Sequence, residues 1–228
     1  MSLFKLDNPV WHSLNEAHKM FSLTYDGLKC YGADFCPFGA FEKNKNVAQG
    51  IDEYSRSVAS FFIVGEQPGF SSMISLKNEL VCLQMIIKDR IVVEIREPIV
   101  KLENKHSKEL YDLVNLVQPG YFKGNTMLLG DYFGIFQNDK LVAVTGERMK
   151  MNDFTEISAV VTHPSYIGRS FAKQLIARTV EKVLNEGKIP FLHVADTNTA
   201  AIRLYEKLGF TTIRSISFWN LERISADD

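Results

Sequence analysis

Two short stretches of this chain carry residue types that chemistry can use. The first, His163-Pro164-Ser165-Tyr166-Ile167-Gly168-Arg169-Ser170-Phe171-Ala172, stands between a β-rich run and an amphipathic one. The first turn of a helix leaves N–H groups without internal partners, and its dipole favours an anion there. Gly168 lets a ligand come close to the backbone, and Arg169 adds a fixed positive charge. A pyrophosphate suits such a turn. A plain strand-to-helix connection, capped by Ser165 or Ser170 and binding nothing, fits the same ten residues. The spacing is not a Walker loop, since no Gly-Lys-Ser/Thr follows, nor the dinucleotide fingerprint with its three spaced glycines. The second stretch runs from Asn198 to Phe210 and ends in Leu204-Tyr205-Glu206-Lys207-Leu208-Gly209-Phe210. A tyrosine hydroxyl, with a pKa of about 10, is a proton donor at neutral pH. Spacing alone favours the other reading of Tyr205, a core aromatic on a stripe with Ala201, Leu204 and Leu208.

The elements that must position these groups are legible in the pattern. Thr155 to Thr162 reads as a strand stopped by Pro164. A helix is expected from about Ile167 to Asn185, its apolar stripe (Phe171, Ala172, Leu175, Ile176, Val180, Val183, Leu184) opposite Lys173, Gln174, Arg178, Glu181 and Lys182. Gly187 stops it. Phe191 to Ala195 reads as a short buried strand, followed by a helix with N-caps on offer at Asp196, Thr197 and Asn198 and a stop at Gly209. Thr212 to Leu221 is a last strand. Upstream, Tyr132 to Gln137 and Leu141 to Arg148 flank Asn138-Asp139-Lys140 as a hairpin, after a helix over Lys105 to Val117 and a short strand over Ile99 to Leu102. The first ~95 residues have a different texture. A helix is expected over Leu14 to Leu23, with Ser13 and Glu16 as a capping box. Tyr25 to Phe41 reads as a loop packed by its aromatics, and Val58 to Glu66 and Leu80 to Lys88 as strands.

Composition narrows the function classes. With 228 residues, 46% hydrophobic and 23% charged, the chain can bury a substantial core. A formal net charge of -1 and the lack of a long basic run argue against a nucleic-acid surface. No apolar run approaches the ~20 residues of a membrane span, and no signal core is present, so no membrane partner is expected. Three cysteines make no disulfide framework, which points to a reducing, cytoplasmic setting. His12, His18, Cys30 and Cys36 are zinc-ligand types, but their five-residue gaps exceed the usual two to four of a cysteine pair, and no metal is expected. His163 and His193 read as packed or hydrogen-bonded histidines.

Taken together, Thr155-Glu156-Ile157, Val160-Val161-Thr162-His163-Pro164, Gly168 to Ala172 and Asn198 to Phe210 resemble the GNAT superfamily of acyl-CoA-dependent N-acyltransferases. The nearest flavour is the subgroup of glycine N-acyltransferase-like proteins, in which an N-terminal half precedes the GNAT half. The likeness covers roughly Ile99 to Arg223. It implies an α/β protein: a GNAT domain of mixed sheet flanked by helices over residues 96–228, with a smaller N-terminal α+β part over 1–95. Because loops carry specificity, this N-terminal part, through the Tyr25 to Phe41 loop and with Pro119 to Gly130, is expected to wall the acceptor site. It implies acetyl-CoA as co-substrate and an amine as acceptor. Backbone groups along Val160, Val161 and Thr162 would pair with the pantetheine arm, and the amides of Gly168, Arg169, Ser170, Phe171 and Ala172 would hold the pyrophosphate. Asn198 would face the pantetheine or fix the second helix, and Tyr205 would stand near the thioester sulfur. Glu156 becomes the expected general base, its carboxyl raised by partial burial, with Glu147 behind it. Two positions depart from the family pattern: Ile167 replaces Arg or Gln, and Ser170 replaces a second glycine. Direct attack in a ternary complex is expected, because no residue has the setting of an activated nucleophile. A silent acyl-CoA-binding module, or an interaction protein on the same fold, are the other readings. Acceptor identity and oligomeric state are not readable from the chain.

Overall fold

The computed structural model describes residues 2–224. Asn8 caps the first helix, α1 (Pro9–Asn15), accepting from the Trp11 N–H at 3.4 Å, and Pro9 fills the first turn, where a missing N–H costs nothing. The capping box expected at Ser13 and Glu16 does not form, and the helix does not run on to Leu23. Ser13 is buried instead, its hydroxyl meeting Tyr31 Oη at 2.8 Å and donating to the Lys150 carbonyl at 2.9 Å. Glu16 pairs with Lys5 at 2.8 Å. Long-range partners outcompete the local cap.

The stretch expected as a loop is largely strand: β1 (Ser22–Tyr25), β2 (Leu28–Tyr31) and β3 (Phe38–Phe41). An unanticipated helix, α2 (Ala48–Ser55), leads to β4 (Ser60–Val64) and the long β5 (Ile74–Ile86). Then follow β6 (Val100–Lys101), α3 (Ser107–Val117), β7 (Tyr132–Gln137), β8 (Lys140–Lys150), β9 (Phe154–Thr162), α4 (Phe171–Asn185), β10 (Ile189–Ala195), α5 (Thr199–Lys207) and β11 (Thr211–Arg223). The β7–β8 hairpin closes with Gln137 opposite Lys140, and both loop residues, Asn138 and Asp139, have positive φ. That is the primed turn their residue types favour. Gly146 is demanded by packing, since a Cβ there would lie 2.2 Å from the Tyr132 ring.

Among the described residues, all eleven strands form one mixed sheet in the order β1-β2-β3-β4-β11-β5-β10-β9-β8-β7-β6. The pairs β3–β4 and β9–β10 are parallel and the others antiparallel. β5, from the first 95 residues, lies between β10 and β11: Cys82 stands opposite Ala195 on one side and Ile216 on the other. The two parts of the chain therefore share one sheet. They also share a core, in which Leu6, Tyr31 and Phe38 pack with Met149, Phe154, Phe191 and Phe218. The predicted stripe of α4 faces the sheet, with Phe171, Leu175, Ile176, Val180 and Val183 buried. Among the described residues no helix is long and apolar enough to cross a membrane.

Candidate active site

β9 and β10 pair only at their starts, from Phe154 opposite Ile189 to Glu156 opposite Phe191. Beyond that point they part, and the opening is a cleft of about 370 Å3. Its sides are Ile157 to Val160 of β9, His193 to Ala195 of β10, and Asn198, Ala201 and Tyr205 around α5. A bulge shapes the β9 side. Val144 faces Val161 and Gly146 faces Ser158, so β9 carries one extra residue, and Ala159 there has φ 50°. A bulge re-aims backbone groups that would otherwise stay in the ladder. The His163 N–H bonds the Val142 carbonyl at 2.8 Å. Strand alternation then turns Val161 toward β8, and the backbone groups of Val160 and Thr162 toward the gap.

The turn before α4 has the conformation that an open cradle of N–H groups requires. Gly168 has φ 81°, and a Cβ added there would meet nothing within 4 Å. Ser170 has φ 62°, so the serine adopts the left-handed geometry that glycine would take more readily. α4 starts at Phe171, later than the expected Ile167, because these two left-handed residues interrupt the helical path. Phe171 is buried against Phe133 and Leu175 and offers the site only its backbone. Ala172 borders a hollow of about 350 Å3 that also touches Thr162, Gly168, Arg169, Ser170 and Leu204. The Arg169 guanidinium lies 4.8 Å from the Tyr166 ring centre, holding positive charge beside the cradle. Exposed Ile167 contributes no charge.

Tyr205 is held by the end of its own helix. The Phe210 N–H bonds the Tyr205 carbonyl and the Gly209 N–H bonds the Glu206 carbonyl, both at 3.0 Å, with Gly209 at φ 96°. This is a Schellman closure, and its accompanying apolar contact is the Phe210 ring, 5.7 Å from that of Tyr205. The Leu-Gly-Phe signature thus fixes the tyrosine beside the cleft. Burial pushes its hydroxyl up to about 12, so it keeps its proton at neutral pH. Asn198 starts the same helix, its Oδ1 accepting from the Ala201 N–H at 3.1 Å.

Glu156 differs from expectation. It is fully buried below the cleft and holds Arg148 in a two-point pair, Nε to Oε2 at 2.8 Å and Nη2 to Oε1 at 2.7 Å. The Met149 N–H donates to Oε2 at 3.3 Å, and His193 Nδ1 lies 2.7 Å from Oε1. Burial alone would raise the carboxyl, but the Arg148 charge and the bonds from Arg148 and His193 outweigh it and hold it at about 2. The expected upward shift is reversed, and both oxygens are fully engaged. His193 is equally committed. Gln84 Nε2 donates to the Leu6 carbonyl and lies 3.0 Å from His193 Nε2, which assigns the proton to Nδ1 and points it at Glu156. Glu147 faces the other side of the sheet, caged by Lys150 and Lys182.

Sequence reasoning missed Arg148 and Phe218; they line the cleft with Phe38, Pro119, Tyr121, Phe122 and Thr126, which fall in the two stretches expected to wall the acceptor site. Period-two alternation offered a signal for Arg148, a charge set beside Met149 and Met151 opposite the Glu156 strand. No such signal exists for Ala159, because nothing about alanine favours positive φ. Among the described residues no His, Cys, Asp and Glu group could hold a metal ion.

No curated protein sequence matches the chain. The family model for FR47-like proteins matches residues 132–219, from β7 into β11. A solved structure from Novosphingobium aromaticivorans, assigned to the GNAT-family acetyltransferases, is 27% identical with a TM-score of 0.88, covering 96% of this chain and 99% of that one. A GCN5-related N-acetyltransferase from Kribbella flavida (12% identity, TM-score 0.63, 95% of each chain) shares the fold. So does a GCN5-related N-acetyltransferase-like protein from Streptococcus suis (15%, 0.65, 97% of each). The parted strands, the left-handed turn before α4, the match over residues 132–219 and the full-length likeness together show the GNAT fold in this chain and make it similar to acetyltransferases of that family.

Proposed function

We propose that the protein transfers an acetyl group from acetyl-CoA to an amine by direct attack in a ternary complex. The observation that carries this reading is a pair of hollows sharing β9 and α5: one at the open turn Gly168 to Ala172, touching Thr162 and Leu204, and the cleft lined by Val160 and Tyr205. The turn amides, with Arg169, would hold the pyrophosphate, and the strand edge would pair with the pantetheine amides. The re-aimed N–H groups near Ala159 and Val160 would face the charge that grows on the acyl oxygen. The amine nitrogen bonds to the acyl carbon, the carbon–sulfur bond breaks with its electron pair on sulfur, and Tyr205 gives its proton to that sulfur. The surplus proton on nitrogen leaves to solvent, from which the tyrosine is restored. Glu156 serves as the anchor of Arg148 and His193 in this scheme and takes no proton.

The first 95 residues contribute Phe38, Leu80 and Cys82 to the cleft, which supports reading them as part of the acceptor wall. That two-part layout is also why we read the chain as nearest the glycine N-acyltransferase-like subgroup. Three free, buried cysteines suit a reducing cytoplasm. Replacing Tyr205 with Phe tests the assignment. The expected result is a fall in kcat of about 10²-fold or more with unchanged acetyl-CoA affinity, followed by thiol release. An unchanged kcat would remove Tyr205 from the chemistry.

A further inference from the structure

The same cleft limits which nitrogen can enter it, an inference that rests on the transfer reading above. Its ionisable neighbours are all committed. Glu156 has both oxygens filled by Arg148, His193 and the Met149 N–H. His193 has both ring nitrogens engaged, by Glu156 and Gln84. Burial pushes the Tyr205 hydroxyl and the Cys82 thiol up to about 12 and raises Tyr121, so these lining groups stay protonated at neutral pH. Behind Arg148, burial likewise raises Cys36 and Tyr132. Glu147 points to the opposite face into its lysine cage, and Asp196 follows Ala195 at the rim without lining the cleft. What the wall does present is a cation and aromatic rings. The Arg148 guanidinium lies 4.6 Å from the Phe38 ring centre, and Glu156 occupies its Nε and Nη2 positions, leaving the Nη1 edge on the cleft wall.

An ammonium would meet a like charge there and no lining carboxylate among the described residues to hold it or take its proton. A neutral nitrogen on an apolar body would meet Phe38, Tyr121, Phe122 and Phe218, and a carbonyl oxygen beside that nitrogen could accept from Arg148 Nη1. We propose that the acceptor is an apolar amine of the α-amino amide type, weakly basic and flanked by a carbonyl, and that it enters the cleft already neutral. Its lone pair then forms the carbon–nitrogen bond, sulfur leaves with the electron pair and the Tyr205 proton, and the nitrogen proton passes to solvent. The chemistry is shared by a free amino-acid amide and by a peptide terminus.

The test is kcat/KM for acetyl-CoA-dependent thiol release with phenylalaninamide, phenethylamine and a phenylalanyl tripeptide, between about pH 6 and 10. An α-amine near ~8 is roughly 200-fold richer in neutral form at pH 7 than an alkylamine near ~10.4, so the amide should lead by about that factor or more. Each profile should rise about tenfold per pH unit up to the acceptor's own pKa, levelling off near ~8 for the amide and still rising at about pH 10 for phenethylamine. Turnover of the tripeptide as well assigns the site to peptide ends, and turnover of the amide alone assigns it to small molecules. Profiles that break at one shared pH for all acceptors, or a break that moves in Asp196→Asn, would overturn the proposal and leave acyl transfer standing. No transfer to any of the three, with acetyl-CoA still stabilising the fold, would overturn the transfer reading itself.

Discussion

Replacing Glu156 with Gln separates an anchor from a base. The substitution keeps the side chain's size and removes its charge, leaving the Arg148 guanidinium buried against an amide that can accept at only one of its two ends. Breaking one half of a buried ion pair costs about 3–5 kcal/mol, because the surviving charge is left uncompensated. The carboxyl supports the lower part of that range: held at about 2 instead of 4.5, it favours its ionised form by about 3 kcal/mol. A folded-state pKa below the unfolded value gives stability that is complete above about pH 4.5 and lost as the pH falls toward 2. Urea unfolding followed by the fluorescence of Trp11 and Trp219 should therefore show a loss of about 3 kcal/mol or more for Glu156→Gln at neutral pH. Combining it with Arg148→Met, which removes the stranded charge, should recover most of the loss. A single variant within about 1 kcal/mol of wild type in stability, with kcat down 10²- to 10⁴-fold, would be the behaviour of a general base and would refute the anchor role.

Two further outcomes are expected. His18 is buried, with Nδ1 2.9 Å from Tyr31 Oη and Nε2 2.9 Å from the Leu129 carbonyl, and burial pushes it down to about 4. The unfolded chain thus binds the proton first: the neutral ring's contribution is complete above about pH 6.5 and falls away toward pH 4, by about 3 kcal/mol in all. Denaturation midpoints from pH 7 down to 5 should slope less in His18→Gln than in wild type, and parallel slopes would contradict this. Ser170→Gly should raise unfolding stability by about 1 kcal/mol by relieving the left-handed serine, without weakening acetyl-CoA binding; a loss of stability would show that the serine side chain contributes more than its backbone costs.

Legibility followed sequence distance. The β7–β8 hairpin, the α4 stripe and the closures at Gly187 and Gly209 depend on neighbours a few residues away, and each stands where the pattern put it. The position of β5 could not be read, because its partners Ala195 and Ile216 lie more than a hundred residues downstream of Cys82. The α1 cap was misplaced for a related reason: Ser13 had a local role available, and Lys150 and Tyr31 took it. In the site, the turn at Gly168 and the Gly209 closure that holds Tyr205 were recognisable because backbone turns carry residue signatures. The state of Glu156 was not, since its sign depends on Arg148, His193 and Gln84 converging from three other strands. A carboxylate's neighbours decide whether burial raises or lowers it.

The central claim is that acetyl-CoA binds along the gap from the Gly168 turn to Tyr205. Thermal unfolding with and without acetyl-CoA, in wild type and in Gly168→Trp, tests it most directly. Each protein is compared with itself, because tryptophan at φ 81° carries its own strain. At a hundredfold excess over Kd, wild type should gain about 2–3 kcal/mol, and the variant, its cradle filled by the indole, should gain little. An equal gain in both would move the cofactor away from this turn, and no gain in wild type would contradict the acyltransferase account of the cleft.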